Sequence, residues 1–140
     1  MTQEEKQLLL IDLCARLPYG VTCQFIWTYS NETTDGEDVI AIKNDNIICI
    51  NIHTKEIQAD YYGEWVDLEH CKPYLRTMSS MTEKEEDEYM IARQKDIAEA
   101  YIHATPQNAI DWLNSHHFDY RGLIEKGLAL EAPEGMYDIK

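Results

Sequence analysis

The sequence contains no apolar run close to the ~20 residues that a membrane-spanning helix needs, so we expect no membrane partner. Basic residues are also few: twelve Lys and Arg stand against 26 Asp and Glu, which gives a net charge of -14. Direct binding to nucleic-acid backbones requires clustered Lys and Arg, so this class of partner is not predicted either. The acidic surplus favours solubility, a cationic partner or mimicry of a polyanion.

Short catalytic and cofactor motifs are absent as well. The chain has no glycine-rich phosphate-binding loop, no H-E-x-x-H zinc motif, no G-x-S-x-G nucleophile turn and no D-x-D-x-D-G calcium loop. The acidic run from Glu83 to Glu88 is typical of a solvated helix face. We therefore predict no catalytic residue, no metal ligand set and no cofactor.

The four cysteines, Cys14, Cys23, Cys49 and Cys71, form no C-x-x-C pair. The N-terminal stretch MTQEEKQLLLIDLCARL lacks a small-residue cleavage site, so we expect a cytoplasmic protein with reduced, mostly buried thiols. Cys71 follows His70 and precedes Lys72, which makes it the least core-like thiol. A neighbouring cation would lower its pKa toward reactivity, but a reactive thiol is not the favoured interpretation.

The N-terminal region has the pattern of a helix. Thr2 and Glu5 form a capping-box pair ahead of an apolar run, and Pro18 and Gly20 end the helix near Arg16. Its apolar residues form two stripes: Leu9, Leu10, Leu13, Cys14 and Leu17, and beside them Leu8, Ile11 and Ala15. The helix is thus expected either to lie between a sheet and another helix or to turn one stripe to a second protomer.

The next region predicts an antiparallel meander. Residues 21–29 alternate as in a half-buried strand, residues 38–43 and 47–52 form a hairpin around Asn44–Asn46, and residues 56–62 form a fourth strand. In residues 63–80, Trp65, Val66 and Leu68 fit one more strand or a short helix. Pro73 cannot lie inside a helix, so the stretch is interpreted as an extended connector over the core.

The C-terminal region predicts two or three helices. Thr82 and Glu85 repeat the capping box before a long amphipathic helix that reaches about residue 103, and Thr105–Pro106 starts the next. Asp119 is expected to cap a short final helix over residues 120–126. The prediction is a single α+β domain over residues 1–140: an N-terminal helix, a four-stranded antiparallel meander and two or three C-terminal helices. The first and the long helix would cover one sheet face.

His116 and His117 are adjacent, and adjacent side chains on a helix point about 100° apart. They rarely bind one metal together, and an imidazolium near a helix C-terminus is stabilised by the helix dipole. A small metal-dependent hydrolase built from these histidines, Asp119 and Cys71 is the alternative that remains open.

Tyrosine and tryptophan are frequent, with nine and three residues against two phenylalanines. Both favour interfaces, because one part of the ring is apolar and the other is polar. Tyr61, Tyr62 and Trp65 cluster after the fourth predicted strand. Their role is either a partner surface or a half-buried rim of the core. A pocket for a small ligand, such as a nucleotide signal, near Tyr74, Arg76 and Arg121 is a further alternative.

Three stretches carry a resemblance: LCARLPYGV at 13–21, KPYLRTMSSMT at 72–82 and LNSHHFDYRGLIEKGLALEAPEGMY at 113–137. The sequences of these stretches resemble those of a group of uncharacterised small acidic proteins found in gut bacteria and in their prophages or other mobile elements. The resemblance implies a bacterial cytoplasm under phage or mobile-element influence, and it implies no catalytic residues.

The leading hypothesis is a non-enzymatic acidic accessory protein that binds another protein with a basic surface. One version is a phage- or mobile-element-encoded inhibitor that mimics a polyanion, and a homodimer is a further alternative. The candidate binding residues are Tyr61, Tyr62, Trp65, Tyr74, Arg76, Arg121, His116 and His117.

Overall fold

A computed structural model describes residues 1–29, 39–61, 63, 65–100 and 106–137. The protein is α+β, with an N-terminal helix, a six-stranded mixed sheet and two later helices. The helices are α1 Gln3–Arg16, α2 Glu83–Glu99 and α3 Asn108–Ser115. The strands are β1 Thr22–Tyr29, β2 Val39–Asn51, β3 Glu56–Ala59, β4 Trp65–Asp67, β5 Cys71–Leu75 and β6 Leu130–Glu131.

Helix α1 begins at the predicted capping box. The Oγ1 atom of Thr2 accepts from the Glu5 amide at 3.1 Å, and the Glu5 carboxylate accepts from the Thr2 amide at 3.2 Å. Leu9, Leu10 and Leu13 of the first apolar stripe are buried, whereas Ile11 of the second stripe is 47 % exposed. Within one chain the second stripe is therefore not fully buried, and its contact with a second protomer stays a prediction. The charged side chains of Asp12 and Arg16 lie in the interior instead.

The strand order is β4-β3-β2-β1-β5-β6. Strand β1 pairs antiparallel with β2, β2 with β3 and β3 with β4, and β1 also pairs antiparallel with β5. Strand β6 adds to β5 in parallel, which makes the sheet mixed. The predicted four-stranded antiparallel meander therefore does not match the sheet as it stands.

The predicted hairpin at Asn44–Asn46 is wrong, because β2 runs through it as one strand. The first half of β2 pairs with β1 and the second half pairs with β3, with a bulge between Ile47 and Cys49. The Asn46 side chain accepts from the Thr22 hydroxyl at 2.8 Å, and Asp45 accepts from the Tyr61 amide at 2.8 Å. These polar side chains form hydrogen bonds with neighbouring segments, and their own segment does not form a turn.

The alternative of one more strand near Trp65 and Val66 is confirmed by β4, whereas the stretch around Pro73, predicted to be a connector, is strand β5. Cys71 and Pro73 lie opposite Phe25 and Cys23 of β1. Pro73 has no backbone N–H to donate to a neighbouring strand. Strand β6 pairs with β5 only from Tyr74 onward, so Pro73 precedes the residues of β5 that pair with β6. Cys71 is fully buried, which corrects its interpretation as the least core-like thiol.

The core lies between α1, the inner face of the sheet and the segment after α3. Its residues are Leu9, Leu10, Leu13, Val21, Cys23, Phe25, Ile47, Ile57, Ala59, Leu68, Cys71, Leu75, Leu123, Leu128 and Ala129. Asp119 lies beside this core and accepts from the amides of Leu123 and Ile124 at 2.9 and 3.0 Å. Residues 120–126 form turns and no helix, so the carboxylate closes a turn.

Helix α2 confirms its capping box at Thr82 and Glu85, but none of its residues is buried. It packs mainly against α3, which corrects the expectation that it would cover a sheet face. Asp96 on α2 accepts from the amides of Asn108 and Ala109, and it thereby caps the first turn of α3. The expected helix end near residue 103 and the expected cap Thr105 lie outside the described residues.

Among the helices that the structure describes, none combines the length and the apolar character that a bilayer crossing requires.

Candidate functional site

A polar cleft of about 670 Å³ opens between the start of α2, the end of α3 and the segment after β6. Its lining includes Arg76, Lys84, Glu88, His116, Glu134 and Tyr137. Two of the predicted site residues, Arg76 and His116, thus lie in one cavity. Its volume falls within the ~300–1,000 Å³ that is usual for small-molecule sites.

Arg76 leaves β5 at the edge of this cleft and is held by Glu85. Both terminal guanidinium nitrogens donate to the Glu85 carboxylate at 2.7 Å, and the guanidinium lies 4.2 Å from the Phe118 ring centroid. The hydrogen bonds from Arg76 are the first cause that lowers the pKa of Glu85 to about 2. Because its charge is matched by Glu85, Arg76 joins the sheet to α2 and is not a free anion-binding group.

His116 ends α3 and stacks on Trp112, with ring centroids 4.1 Å apart. Its Nδ1 atom lies 2.9 Å from the Trp112 carbonyl oxygen, and its Nε2 atom lies 3.9 Å from the Glu88 carboxylate. The Trp112 indole also donates to Glu88, at 3.4 Å. The sequence placed this imidazole at a helix C-terminus, and the structure adds a ring edge directed at Glu88.

His117 occupies the left-handed position that follows α3, with φ 66°. The Phe118 amide donates to the Leu113 carbonyl at 3.0 Å and the His117 amide donates to the Asn114 carbonyl at 3.1 Å, which is the Schellman pattern. Glycine is the usual residue there, since it has no Cβ penalty. His117 therefore keeps a strained position that its side-chain contacts must stabilise.

Those contacts direct the His117 ring inward. It stacks on Tyr137 with centroids 3.7 Å apart, and its Nδ1 atom is buried without a hydrogen-bond partner in the described structure. Burial, and then the charge of Arg16, lower the pKa of His117 to about 4. His117 is thus neutral at pH 7, which corrects the expected imidazolium, and the two histidines do not form a common site.

Within the described ranges, no three His, Cys, Asp or Glu side chains are grouped so that they could hold a metal ion. Cys71 is buried in the core, and burial raises the pKa of its neighbour Cys23 well above its usual value. The residues proposed for a metal-dependent hydrolase therefore have no assembled geometry in this part of the chain.

Arg121 takes part in a buried network and not in the cleft. Its Nη1 atom donates to the Asp12 carboxylate at 3.4 Å and to the Tyr120 hydroxyl at 3.1 Å. Asp12 also accepts from Arg16 at 2.8 and 3.1 Å, and Arg16 donates to the Phe118 carbonyl at 2.7 Å. This network joins α1 to the segment after α3.

Tyr74 is buried, so it does not contribute to a partner surface. Its hydroxyl donates to the Asn44 side chain at 3.0 Å. Tyr137 donates to the Tyr74 carbonyl at 2.8 Å, and burial raises the pKa of Tyr137 to about 12. Tyr137 was missed in the sequence because its partners lie 63 and 115 residues away.

The outer sheet surface, which we define as Ile40, Ile42, Ile48, Tyr61 and Trp65, groups exposed apolar residues of the strands with Tyr61 from the turn after β3. Tyr61 is 85 % exposed and Trp65 is 45 % exposed. Trp65 pairs with Gln58, on the face opposite to the buried Ile57, and Ile42 pairs with Ile26 on the same outer face. Tyr62, the third predicted aromatic residue, lies outside the described residues.

Residues missed in the sequence include Asp12, Arg16 and Glu85. Asp12 and Arg16 are four residues apart inside an apolar helix, and this spacing was an available signal for a buried ion pair. Glu85 was assigned to the cap alone, since its second partner, Arg76, approaches only in the folded chain.

No protein-family model matches this chain, and searches of curated proteins and of solved structures give no match either. Family membership is therefore not shown, and the resemblance to small acidic proteins of gut bacteria stays a prediction. The residues that the geometry brings together are the basis for a functional proposal.

Proposed function

We propose that this protein is a non-enzymatic accessory protein that binds another protein through the outer sheet surface. The observation that carries the proposal is the exposure of Ile40, Ile42, Ile48 and Trp65 on a sheet whose opposite face holds the core, with Tyr61 exposed in the turn after β3. In the described structure these five side chains keep between 45 and 85 % of their surface exposed.

Exposure of these groups has a thermodynamic meaning. Fully burying one large apolar side chain contributes roughly 1.5–3 kcal/mol, so an occupant of this surface gains several such terms. Tryptophan and tyrosine are also the residues that most often dominate binding energy at protein interfaces. Trp65 and Tyr61 are the two we expect to contribute most.

The charge favours a basic partner. With a net charge of -14, the chain attracts a positively charged protein and repels other acidic proteins. Glu56 lies on the face of β3 that also carries Gln58, the partner of Trp65, so a carboxylate neighbours the aromatic side chain. A partner that combines Lys or Arg with an apolar patch fits this surface.

The specific version is an inhibitor that presents carboxylates to a basic nucleic-acid-binding site of a host protein. Its support is the acidic charge and the resemblance to proteins of prophages and mobile elements. In this version the protein acts in the bacterial cytoplasm.

Affinity capture from a bacterial lysate, first at low salt, identifies candidate partners by mass spectrometry. Each purified candidate is then titrated with the wild type, with Trp65→Ala, with Tyr61→Ala and with the control Tyr19→Ala. We expect Trp65→Ala to weaken binding by at least about tenfold, which corresponds to ~1.4 kcal/mol.

Tyr19 is a matched control because it is a 41 % exposed tyrosine outside the sheet. A basic partner that binds Trp65→Ala as tightly as the wild type would refute the assignment of this surface. The absence of any retained protein at low salt, where electrostatic attraction is strongest, would refute the proposal as a whole.

The second candidate function is small-ligand binding in the cleft, which the cavity volume favours. Its carboxylates outnumber its basic groups, since Glu85, Glu88, Glu131 and Glu134 face Arg76 and Lys84. Phosphate groups of a nucleotide signal would be repelled, which places this candidate second. The probe is a panel of cyclic nucleotides and nucleoside triphosphates at 1 mM, and a rise in melting temperature that His116→Ala abolishes would promote it.

A further inference from the structure

Helix α2 turns an apolar stripe to solvent. Met90, Ile91 and Ile97 are 48, 64 and 68 % exposed, and Ala98 beside them is also exposed. At 100° per residue these four side chains fall on one side of the helix, with Gln94 among them. The opposite side of α2 packs on α3, for example through Tyr89 against Trp112 at 5.6 Å.

The charges on this exposed side change sign along the helix. Glu83, Glu86 and Asp87 occupy the first two turns in line with the stripe, and Lys84 beside them lines the cleft. Arg93 and Lys95 flank the stripe further along. The five charged residues in line with the stripe or flanking it are exposed, and none of them forms an ion pair within the described residues. The exposed side thus has an acidic start, an apolar middle and basic flanks near its end.

We propose that this side of α2 is a self-association surface, on which a second copy of the chain packs with its α2 antiparallel. Met90 of one copy then lies against Ile91 of the other at the centre. Glu86 of each copy lies opposite Arg93 of the other, Asp87 lies opposite Lys95, and the two helices overlap along their whole length.

Charge complementarity selects this occupant and this orientation. A parallel pair would place two acidic starts together and two basic regions together, and like charges side by side are destabilising. In the antiparallel pair a two-fold axis relates the copies, so each attractive contact occurs twice. The two helix dipoles also point in opposite directions, which is favourable. The surface is complementary to itself, so a second copy of the chain can cover its apolar residues and pair its charges.

The size of the surface sets the expected strength. A helix of 17 residues is about 25 Å long at ~1.5 Å per residue. A contact between two such helices buries less than the ~800 Å² per partner of a typical stable interface. The dimer is therefore weak and depends on protein concentration.

This inference does not depend on the proposed function, since it uses a different surface and no basic partner. Sedimentation equilibrium of the purified chain between about 10 μM and 1 mM measures it. The ionic strength is 0.15 M, at which the Debye length of ~8 Å screens the repulsion between two acidic molecules but not direct ion pairs.

Two charge variants test the pairing. The acidic variant carries Arg93→Glu and Lys95→Glu, and the basic variant carries Glu86→Lys and Asp87→Lys. Each variant alone is expected to associate at least about tenfold more weakly than the wild type, because like charges then face each other. An equimolar mixture is expected to recover association, since acidic and basic surfaces face each other again.

The control variant carries Lys43→Glu and Lys126→Glu, which changes the net charge as the acidic variant does but away from α2. It is expected to associate as the wild type does, and so is Trp65→Ala, which separates this surface from the outer sheet surface. Ile91→Gln is a milder variant with a good helix former, and it is expected to weaken association by at least about tenfold.

Far-UV circular dichroism verifies that each variant keeps its helix content. A wild-type chain that is monomeric at 1 mM would overturn the proposal. So would an acidic variant or an Ile91→Gln variant that associates like the wild type, or a mixture that does not recover association.

Discussion

The junction between α1 and residues 118–124 differs from the α2–α3 layer in what it buries. At the junction, the ion pair of Asp12 and Arg16 has no exposed side-chain surface. In the layer, α2 has no buried residue and exposes Met90, Ile91 and Ile97. Apolar periodicity therefore identifies a stripe on a helix, but it does not tell which neighbour the stripe faces.

The two regions also differ in how a polar contact acts. Breaking a buried pair leaves an uncompensated charge in a medium of low dielectric constant, which is costly. A contact at the surface is replaced by water, so its loss costs ~0.2–1 kcal/mol. Substitutions in the two regions should therefore differ in their effect on stability.

Arg16→Met is expected to lower the free energy of unfolding by about 3–5 kcal/mol, because Asp12 would lose its main partner and the Phe118 carbonyl its donor. Arg93→Met on exposed α2 is the matched control, with an expected change within about 0.5 kcal/mol. Urea unfolding followed by circular dichroism measures both. Similar effects in the two variants would contradict the contrast.

The pKa of His117 is lowered to about 4 in the folded protein, so the unfolded chain binds a proton first as the pH falls. Stability contributed by the neutral ring is complete above pH ~6.5 and is lost as the pH falls toward 4, by roughly 2–3 kcal/mol. His117→Asn tolerates the left-handed backbone and is expected to lack this loss. Urea unfolding at pH 7, 5.5 and 4.5 compares them, and equal slopes would refute the buried neutral ring.

Glu85→Gln is expected to cost about 1–2 kcal/mol, because both Glu85 oxygens accept from Arg76 whereas the glutamine amide has only one oxygen that can accept. The pKa of Glu85 is lowered to about 2, so its contribution is present above pH ~4.5 and is lost as the pH falls toward 2. The Glu85→Gln variant should not show this loss of stability between pH 4.5 and 2. A variant that keeps it would show that other carboxyl groups cause it.

Thr82→Ala and Thr2→Ala remove the same cap from α2 and α1, at an expected cost of ~1 kcal/mol each. For Thr2→Ala the cost should appear in global unfolding, because α1 carries part of the core. For Thr82→Ala it should appear first as faster amide exchange in α2. Equal exchange in both helices would remove the distinction between the two regions.

Local features were predictable from the sequence where the physical cause is local. Both capping boxes and strand β1 are confirmed, because three-residue spacing and strict alternation act within one segment. The hairpin at Asn44–Asn46 was wrong, since pairing of one long strand with two neighbours outweighed turn propensity. Strand β5 was missed because Pro73 hides a strand whose pairing partner lies about 50 residues earlier.

The candidate site was less predictable. Arg76 and His116 were named as candidates, but the cleft that they share forms only when α2 packs near the segment after β6. His117 was named with His116, and only the reversed backbone after α3 sends its ring to Tyr137. Tyr61 and Trp65 are exposed. Tyr74 is buried, and its hydroxyl donates a hydrogen bond to the Asn44 side chain of β2.

The net charge, the two capped helices and the alternation of β1 follow from the sequence alone, because they depend on residue types and short spacings. That Asp12 and Arg16 lie inside while Met90 and Ile97 lie outside follows from the tertiary structure. Burial depends on which surfaces meet, and those around Asp12 and Arg16 come from segments about 100 residues apart. A periodic pattern specifies one of the two surfaces and leaves the other open.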